Sequence, residues 1–171
     1  MPTEHESGRT ARPVDDHLTT GTPGANDGLG VLRVDHVGIA VPDLDAAVAF
    51  YTETFGMTCV HTETNADQGV REAMLRVGDD RAGAQLQLLA PASPDSSIAR
   101  FLDRRGPGVQ QLAYTVRDVA RAADTLRERG LRLLYDEPRP GTAGSRINFV
   151  HPADAGGVLV ELVEPAGDHA P

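Results

Sequence analysis

The chain has one cysteine, no lysine and no apolar stretch approaching the ~20 residues of a membrane helix. A single Cys59 excludes an internal disulfide framework and fits a reducing compartment, so a cytoplasmic location is expected. All 16 basic residues are arginine, a trait of composition more than of mechanism. They are outnumbered by 25 acidic residues, and the net charge of -9 argues against nucleic acid or an anionic membrane as partner. The opening Met1-Pro2-Thr3-Glu4-His5 lacks the charged and apolar regions of a signal peptide. What remains is a hydrophobic content of 40% over 171 residues, enough for one globular domain or two small fused modules.

The order of apolar residues divides the chain. Residues 1–30 are polar, rich in Gly, Pro and Thr, and without hydrophobic period; they read as a disordered leader, with His5 and His17 solvated. Residues 166–171, with His169, read as a disordered tail. From Leu32 to Val41 the pattern is that of a strand, ended by Pro42. Asp43 caps a helix from Leu44 to Phe55 that stops at Gly56. Strands are predicted over Met57–Glu63, Gly69–Val77 and Ala84–Ala90. Residues 31–93 thus form a first βαβββ module. Residues 94–108 form a linking helix, Ile98–Arg105, and a turn. Residues 109–165 form a second βαβββ module: strand Gln110–Val116, helix Val119–Arg129, then strands Leu131–Asp136, Arg146–Val150 and Gly157–Glu164.

The second module repeats the first. His36 matches Gln111 at an offset of 75, and Gly56 matches Gly130 at 74. Gln87-Leu88-Leu89-Ala90-Pro91 matches Glu161-Leu162-Val163-Glu164-Pro165 at 74. A deletion in the helix region reconciles the offsets, so three separate places support the duplication. A duplicated module makes a pseudo-twofold site where matching positions meet: His36 with Gln111, and Gln87 with Glu161. Glu161 lies inside Val158-Leu159-Val160-Glu161-Leu162-Val163, a run expected to be buried, where an unpaired carboxylate costs several kcal/mol. It therefore faces a cation, an acid partner or a solvated cavity. Alternation sets Glu72 with Met74 on one face of its strand and Ala73 with Leu75 on the other, which makes Glu72 a candidate proton-transfer base or an exposed partner of Arg71 or Arg146. His61 has no such support, and His151, before Pro152, reads as structural.

Several segments carry a resemblance over residues 33–164. They are Asp35-His36-Val37-Gly38-Ile39-Ala40-Val41-Pro42-Asp43, Gln68-Gly69-Val70-Arg71-Glu72, Gln87-Leu88-Leu89-Ala90-Pro91, Gly144-Ser145-Arg146-Ile147-Asn148-Phe149-Val150-His151-Pro152 and Gly157-Val158-Leu159-Val160-Glu161-Leu162. With the tandem modules, they resemble the vicinal oxygen chelate superfamily and, within it, the methylmalonyl-CoA epimerases. The resemblance implies an α+β fold in which two tandem βαβββ modules form a curved, partly closed mixed sheet around a central site, helices outside. It implies a divalent metal ion (cobalt, manganese, magnesium or zinc) held by His36, Gln87 and Glu161, with Glu72 and Glu161 as the proton-transferring carboxylates. It also implies a small acyl-CoA substrate and a homodimer. The family's fourth ligand is the second His of a His-His pair, and here the pair is Gln110-Gln111. An amide oxygen suits cobalt, zinc and nickel less well than imidazole, so weaker metal binding, harder ions or no metal are expected.

Three functions compete. The first is epimerisation of methylmalonyl-CoA or a close 2-alkylmalonyl-CoA. The second is a repurposed enzyme using Glu72 and Glu161 on a polyketide-like or other thioester-derived substrate, with altered or no metal. The third is a non-catalytic binding protein, disfavoured because a pure binder has no need of two buried carboxylates. An extradiol dioxygenase is disfavoured too, since its iron needs two His and one carboxylate.

Overall fold

The computed structural model describes residues 29–66 and 68–167. Most of the expected leader and the end of the expected tail, with His5, His17 and His169, lie outside these residues. Eight strands form one curled mixed sheet: β1 (Val31–Ala40), β2 (Thr58–Asn65), β3 (Val70–Arg76), β4 (Gln85–Pro91), β5 (Gly108–Val116), β6 (Arg139–Pro140), β7 (Arg146–Val150) and β8 (Leu159–Glu164). Three α-helices accompany them: α1 (Leu44–Phe55), α2 (Ser97–Arg105) and α3 (Val119–Glu128). The sheet order β2-β3-β4-β1-β5-β8-β7-β6 reads the same from either end once the modules are exchanged.

The centre of this symmetry is the antiparallel pair β1–β5. Val37 pairs with Leu112, its own repeat mate, while His36 pairs with Ala113 and Gly38 with Gln111. Two register shifts flank the axis. Between Val34 and His36 the extra residue is Asp35 on β1; between Gly38 and Ile39 it is Gln110 on β5. Each is a bulge, and each is the other's mate at the 75-residue offset. On either side β1 runs parallel to β4 and β5 parallel to β8, with Gly38 opposite Gln87 and Ala113 opposite Glu161.

Local chemistry explains the helices. Asp43, Ser96 and Asp118 accept hydrogen bonds from the N–H groups of Ala46, Ala99 and Arg121, satisfying donors that a helix start leaves unpaired, each cap worth about 1 kcal/mol. Gly56 ends α1 at φ 66°, a conformation that excludes most side chains. α1 packs through Leu44, Ala47 and Val48 against Ala73, Leu75 and Leu88 on the outer face. α3 does the same through Val119, Ala122 and Leu126 against Val116, Val150 and Leu162. The linking helix α2 does not join them outside. Its Ile98, Phe101 and Leu102 pack on Ala40, Val70 and Leu89, the face that also carries Gln87 and Glu72.

The predicted strand Leu131–Asp136 is absent. Only Leu133 bridges to Val150. Beyond it the Asn148 side chain takes over the backbone of Tyr135, receiving its N–H and donating to its C=O, and Arg127 donates to the carbonyls of Tyr135 and Asp136. With those groups satisfied by side chains, the chain leaves the ladder and returns as the two-residue β6. The second module is thus shorter at its edge than the first.

Candidate active site

Alternation on four central strands sends His36, Gln87, Gln111 and Glu161 to one face, and the sheet's curl brings them together. All four are buried, at 3–6% exposure. His36 Nε2 lies 3.1 Å from Glu161 Oε2 and 3.3 Å from Gln111 Nε2. The Gln111 amide donates to Gln87 Oε1 at 3.1 Å and to Glu161 Oε2 at 2.5 Å. Gly38 makes room for it: a Cβ there would stand 2.5 Å from Gln111 Cγ.

The bulge at Asp35 places a carboxylate beside this polar set. Asp35 Oδ1 accepts from His36 Nδ1 at 2.9 Å, and Thr115 donates to Oδ2 at 2.6 Å. Burial opposes the Asp35 charge, but these two hydrogen bonds, with the nearby charges of His36 and Arg33, outweigh it and hold the carboxyl below its ordinary value. Burial likewise opposes a charged His36, yet the carboxylates of Asp35 and Glu161 push it up to about 9. Nδ1 is thereby committed to Asp35 and Nε2 is directed inward, the arrangement found behind metal-binding histidines.

Glu72 is buried at 6% exposure rather than paired with an arginine. Arg71 turns to Asp45 and Arg146 to Glu164. Glu72 Oε2 accepts from Gln87 Nε2 at 2.9 Å, and Oε1 accepts from Thr142 Oγ1 at 2.6 Å. Burial raises its pKa, Thr142 lowers it, and Glu63 and Glu161 raise it further, leaving the group at about 7. The two carboxylates are therefore joined through two amides, Glu72 to Gln87 to Gln111 to Glu161. The scaffold is symmetric but the acids are not: Glu161 is the repeat mate of Gln87, whereas Ile147 opposite Val163 holds the place that Glu72 holds opposite Leu89. Glu72, Gln111 and Glu161 border a cavity of about 390 Å³, with Arg100, Tyr135 and Thr142 among its other walls. Arg100 also donates to the Asp95 carbonyl.

The donor set fits a small divalent ion. Ligands about 2.1 Å from an octahedral ion stand roughly 3 Å from one another. The 3.1 Å between His36 Nε2 and Glu161 Oε2 matches that edge, and Gln87 Oε1 converges on the same point, since it and Glu161 Oε2 both meet the Gln111 amide nitrogen. The Gln111 amide has its nitrogen inward, so ligation through its oxygen requires the amide to turn. Among the described residues, no cluster of three or more His, Cys, Asp and Glu is placed to hold a metal. Half of this set is amide.

Sequence reasoning gave Gln110 no role beyond its place in the Gln110-Gln111 pair, set His61 aside and missed Thr142. Gln110 lines the cavity beside Gln111 because the bulge breaks alternation, and its buried Oε1 accepts no hydrogen bond. Thr142 reaches Glu72 from 70 residues away. His61, which the repeat does not support, bonds Glu63 next to Glu72. Only a break in the Asp35 and Gln110 periodicity, shared by both repeats, could have served as a sequence signal. His151 is structural as expected, accepting from the Ala153 N–H.

Comparison with known proteins agrees with this geometry. Residues 35–149 match the glyoxalase/bleomycin resistance protein/dioxygenase superfamily. The ethylmalonyl-CoA/methylmalonyl-CoA epimerase of Cereibacter sphaeroides is 38% identical over 132 residues, covering 76% of this chain and 96% of that protein. Methylmalonyl-CoA epimerase from Mycobacterium tuberculosis is 56% identical, with a TM-score of 0.78 over 82% of this chain and 93% of that one. A variant of the Streptomyces coelicolor methylmalonyl-CoA epimerase, bound to 2-nitronate-propionyl-CoA, is 49% identical with a TM-score of 0.77, over 80% and 99% of the two chains. By its repeated fold, its central polar set and these similarities, the chain belongs to the glyoxalase/bleomycin resistance protein/dioxygenase superfamily.

Proposed function

We propose that this protein epimerises methylmalonyl-CoA, or a close 2-alkylmalonyl-CoA, by transfer of the α-proton between two carboxylates. The observation that carries the reading is the convergence of Glu72 and Glu161, from opposite halves of the sheet, on one cavity. The relatives add support, since they include epimerases of methylmalonyl-CoA and ethylmalonyl-CoA.

The proton between a thioester and a carboxylate is acidic for carbon but still weakly so. Its removal needs a positioned base, and its return to the other face needs a second one. Glu72, at about 7, sits near the pH at which a carboxylate both takes and gives up a proton. Thr142 and Gln87 hold its two oxygens. Glu161 answers from β8, held by Gln111. His36, Gln87, Glu161 and, after its amide turns, Gln111 would hold a divalent ion. The chemistry such an ion supplies when bound is Lewis-acid stabilisation of the enolate oxygens. Gln111 in place of imidazole favours a harder ion, magnesium or manganese, over cobalt or zinc. The reading extends by resemblance to a cytoplasmic homodimer with residues 31–93 and 109–165 as its two modules. Among the described residues no helix is long and apolar enough to cross a membrane.

The test is exchange in deuterated water. Wild-type protein with methylmalonyl-CoA should wash out the α-proton of both epimers, followed by NMR, and Glu72→Ala should lose wash-out from one of them. No enzyme-dependent wash-out in the wild type, with or without added metal, would sink the reading.

A further inference from the structure

Two polar residues behind Glu72 have no part in the chemistry above. Glu63 on β2 stands directly opposite Glu72 on β3 in the antiparallel ladder, where facing side chains meet. The two carboxyls are close enough that each shifts the other's proton affinity, Glu63 holding that of Glu72 up. Consecutive residues pin the pair: Thr142 donates to Glu72 Oε1 at 2.6 Å and the Ala143 N–H donates to Glu63 Oε2 at 3.3 Å. Ala143 is held at φ 54°, the one positive φ among the described non-glycine residues. Such a conformation is unfavourable for a residue with a Cβ and persists where its surroundings impose it. On the outer side His61 Nε2 lies 2.5 Å from Glu63 Oε2.

The row runs from inside to outside. Glu72 is 6% exposed, whereas the Glu63 and His61 side chains are 30% and 36% exposed. His61 lines a second cavity, of about 440 Å³, which His36 and Glu161 also border. The outer end of the row thus opens on the space that Glu161 faces.

A two-base epimerase needs such a route. When Glu72 takes the α-proton and Glu161 gives one to the opposite face, the enzyme is left with Glu72 protonated and Glu161 bare. Another turnover in the same direction needs the reverse.

We propose that Glu63 and His61 are the proton path that resets Glu72 between turnovers, and that the second cavity returns a proton to Glu161. The steps balance. The Glu72 O–H breaks as an O–H forms on Glu63. That proton passes to His61 Nε2, and the imidazolium gives one to water or buffer. Glu161 takes one from the same solvent, so no net proton or electron is consumed. His61 suits the outer position because its ring meets Glu63 on one side and solvent on the other. The inference rests on the epimerase reading.

The experiment compares wild-type protein with His61→Ala and Glu63→Gln, each checked for folding by thermal unfolding. Turnover of methylmalonyl-CoA is measured at rising imidazole concentration, and deuterium entering recovered substrate and product is measured in deuterated water. The expected result is wild-type turnover that does not depend on imidazole. His61→Ala should lose kcat by about tenfold or more at unchanged KM and regain it as imidazole rises. Both variants should show less deuterium in recovered substrate relative to product, because the proton on Glu72 returns before it exchanges. A slowed His61→Ala that imidazole does not restore and whose exchange ratio matches the wild type overturns the relay, since a structural defect behaves that way. Wild-type turnover and exchange in both variants also overturn it. Absence of turnover in the wild type removes the epimerase reading and the relay together, which separates the two failures.

Discussion

Asp35 and Gln110 are mates at the 75-residue repeat, and each is the extra residue of a bulge in the central β1–β5 pair. Their fates differ. Asp35 accepts from His36 and orients its ring. Gln110 stands beside an amide instead of an imidazole, and its buried Oε1 finds no partner. The symmetric backbone thus delivers one supported imidazole, His36, and one amide, Gln111, that lacks the same support.

The first consequence concerns Asp35. Asp35→Asn removes the charge that commits His36 Nδ1 and leaves the ring free to reorient. Metal affinity should fall about 10- to 100-fold. Titration of the metal-free protein with manganese, followed by calorimetry, checks this; unchanged affinity would show that Thr115 and the bulge orient His36 without the carboxylate.

Gln111→His bears on metal choice. It replaces the amide with the stronger ligand for cobalt and zinc. The variant should retain more of either ion through purification and dialysis than the wild type does, read by elemental analysis. Stoichiometric cobalt or zinc in the wild type, with no tighter binding in the variant, would contradict the argument.

Gly38→Ala tests the packing under Gln111. A methyl group at 2.5 Å from Gln111 Cγ forces that side chain aside. Overpacking of this kind costs about 1–3 kcal/mol, read by chemical denaturation. Metal affinity should fall as well. If stability and affinity both hold, the strand has absorbed the methyl group and the close approach is not required.

Glu72 makes stability depend on pH in the metal-free protein. Its folded value, about 7, lies above the 4.5 of the unfolded chain, so the folded state keeps the proton longer. Below 4.5 there is no penalty, stability falls as pH rises from 4.5 to 7, and the loss is complete above 7. At 1.36 kcal/mol per pKa unit the loss is about 3 kcal/mol. Glu72→Gln should flatten this slope in denaturation curves taken from pH 4 to 8; an equal slope in both proteins would assign it to other groups.

The same substitution separates the two bases. Glu72→Gln should lose epimerisation by about 10²–10⁴-fold. Glu161 remains and should still exchange the α-proton of one substrate epimer with deuterated water. Loss of exchange from both epimers alike would mean that the two carboxylates do not act on separate faces.

Much of this site is legible in the amino-acid sequence. Duplication at three places pairs His36 with Gln111 and Gln87 with Glu161, and all four meet. Asp43 and Gly56 bound α1 because capping is local chemistry. The departures share a different character. Leu131–Asp136 has the pattern of a strand, but Asn148 and Arg127, distant or on another element, claim its backbone. Glu72 has two candidate arginine partners in the sequence, but the positions of Asp45 and Glu164 draw those arginines away.

By itself the sequence determined the repeat, the strand and helix order, and which residue types stand at the symmetry-related positions, because these follow from periodicity and short-range capping. The tertiary structure decided which neighbours those residues acquired. Bulges aimed Asp35 and Gln110, curling carried Thr142 to Glu72, and strand pairing set Glu63 and His61 behind Glu72. Such contacts depend on register and closure across the whole sheet, where a one-residue shift changes which face a side chain meets.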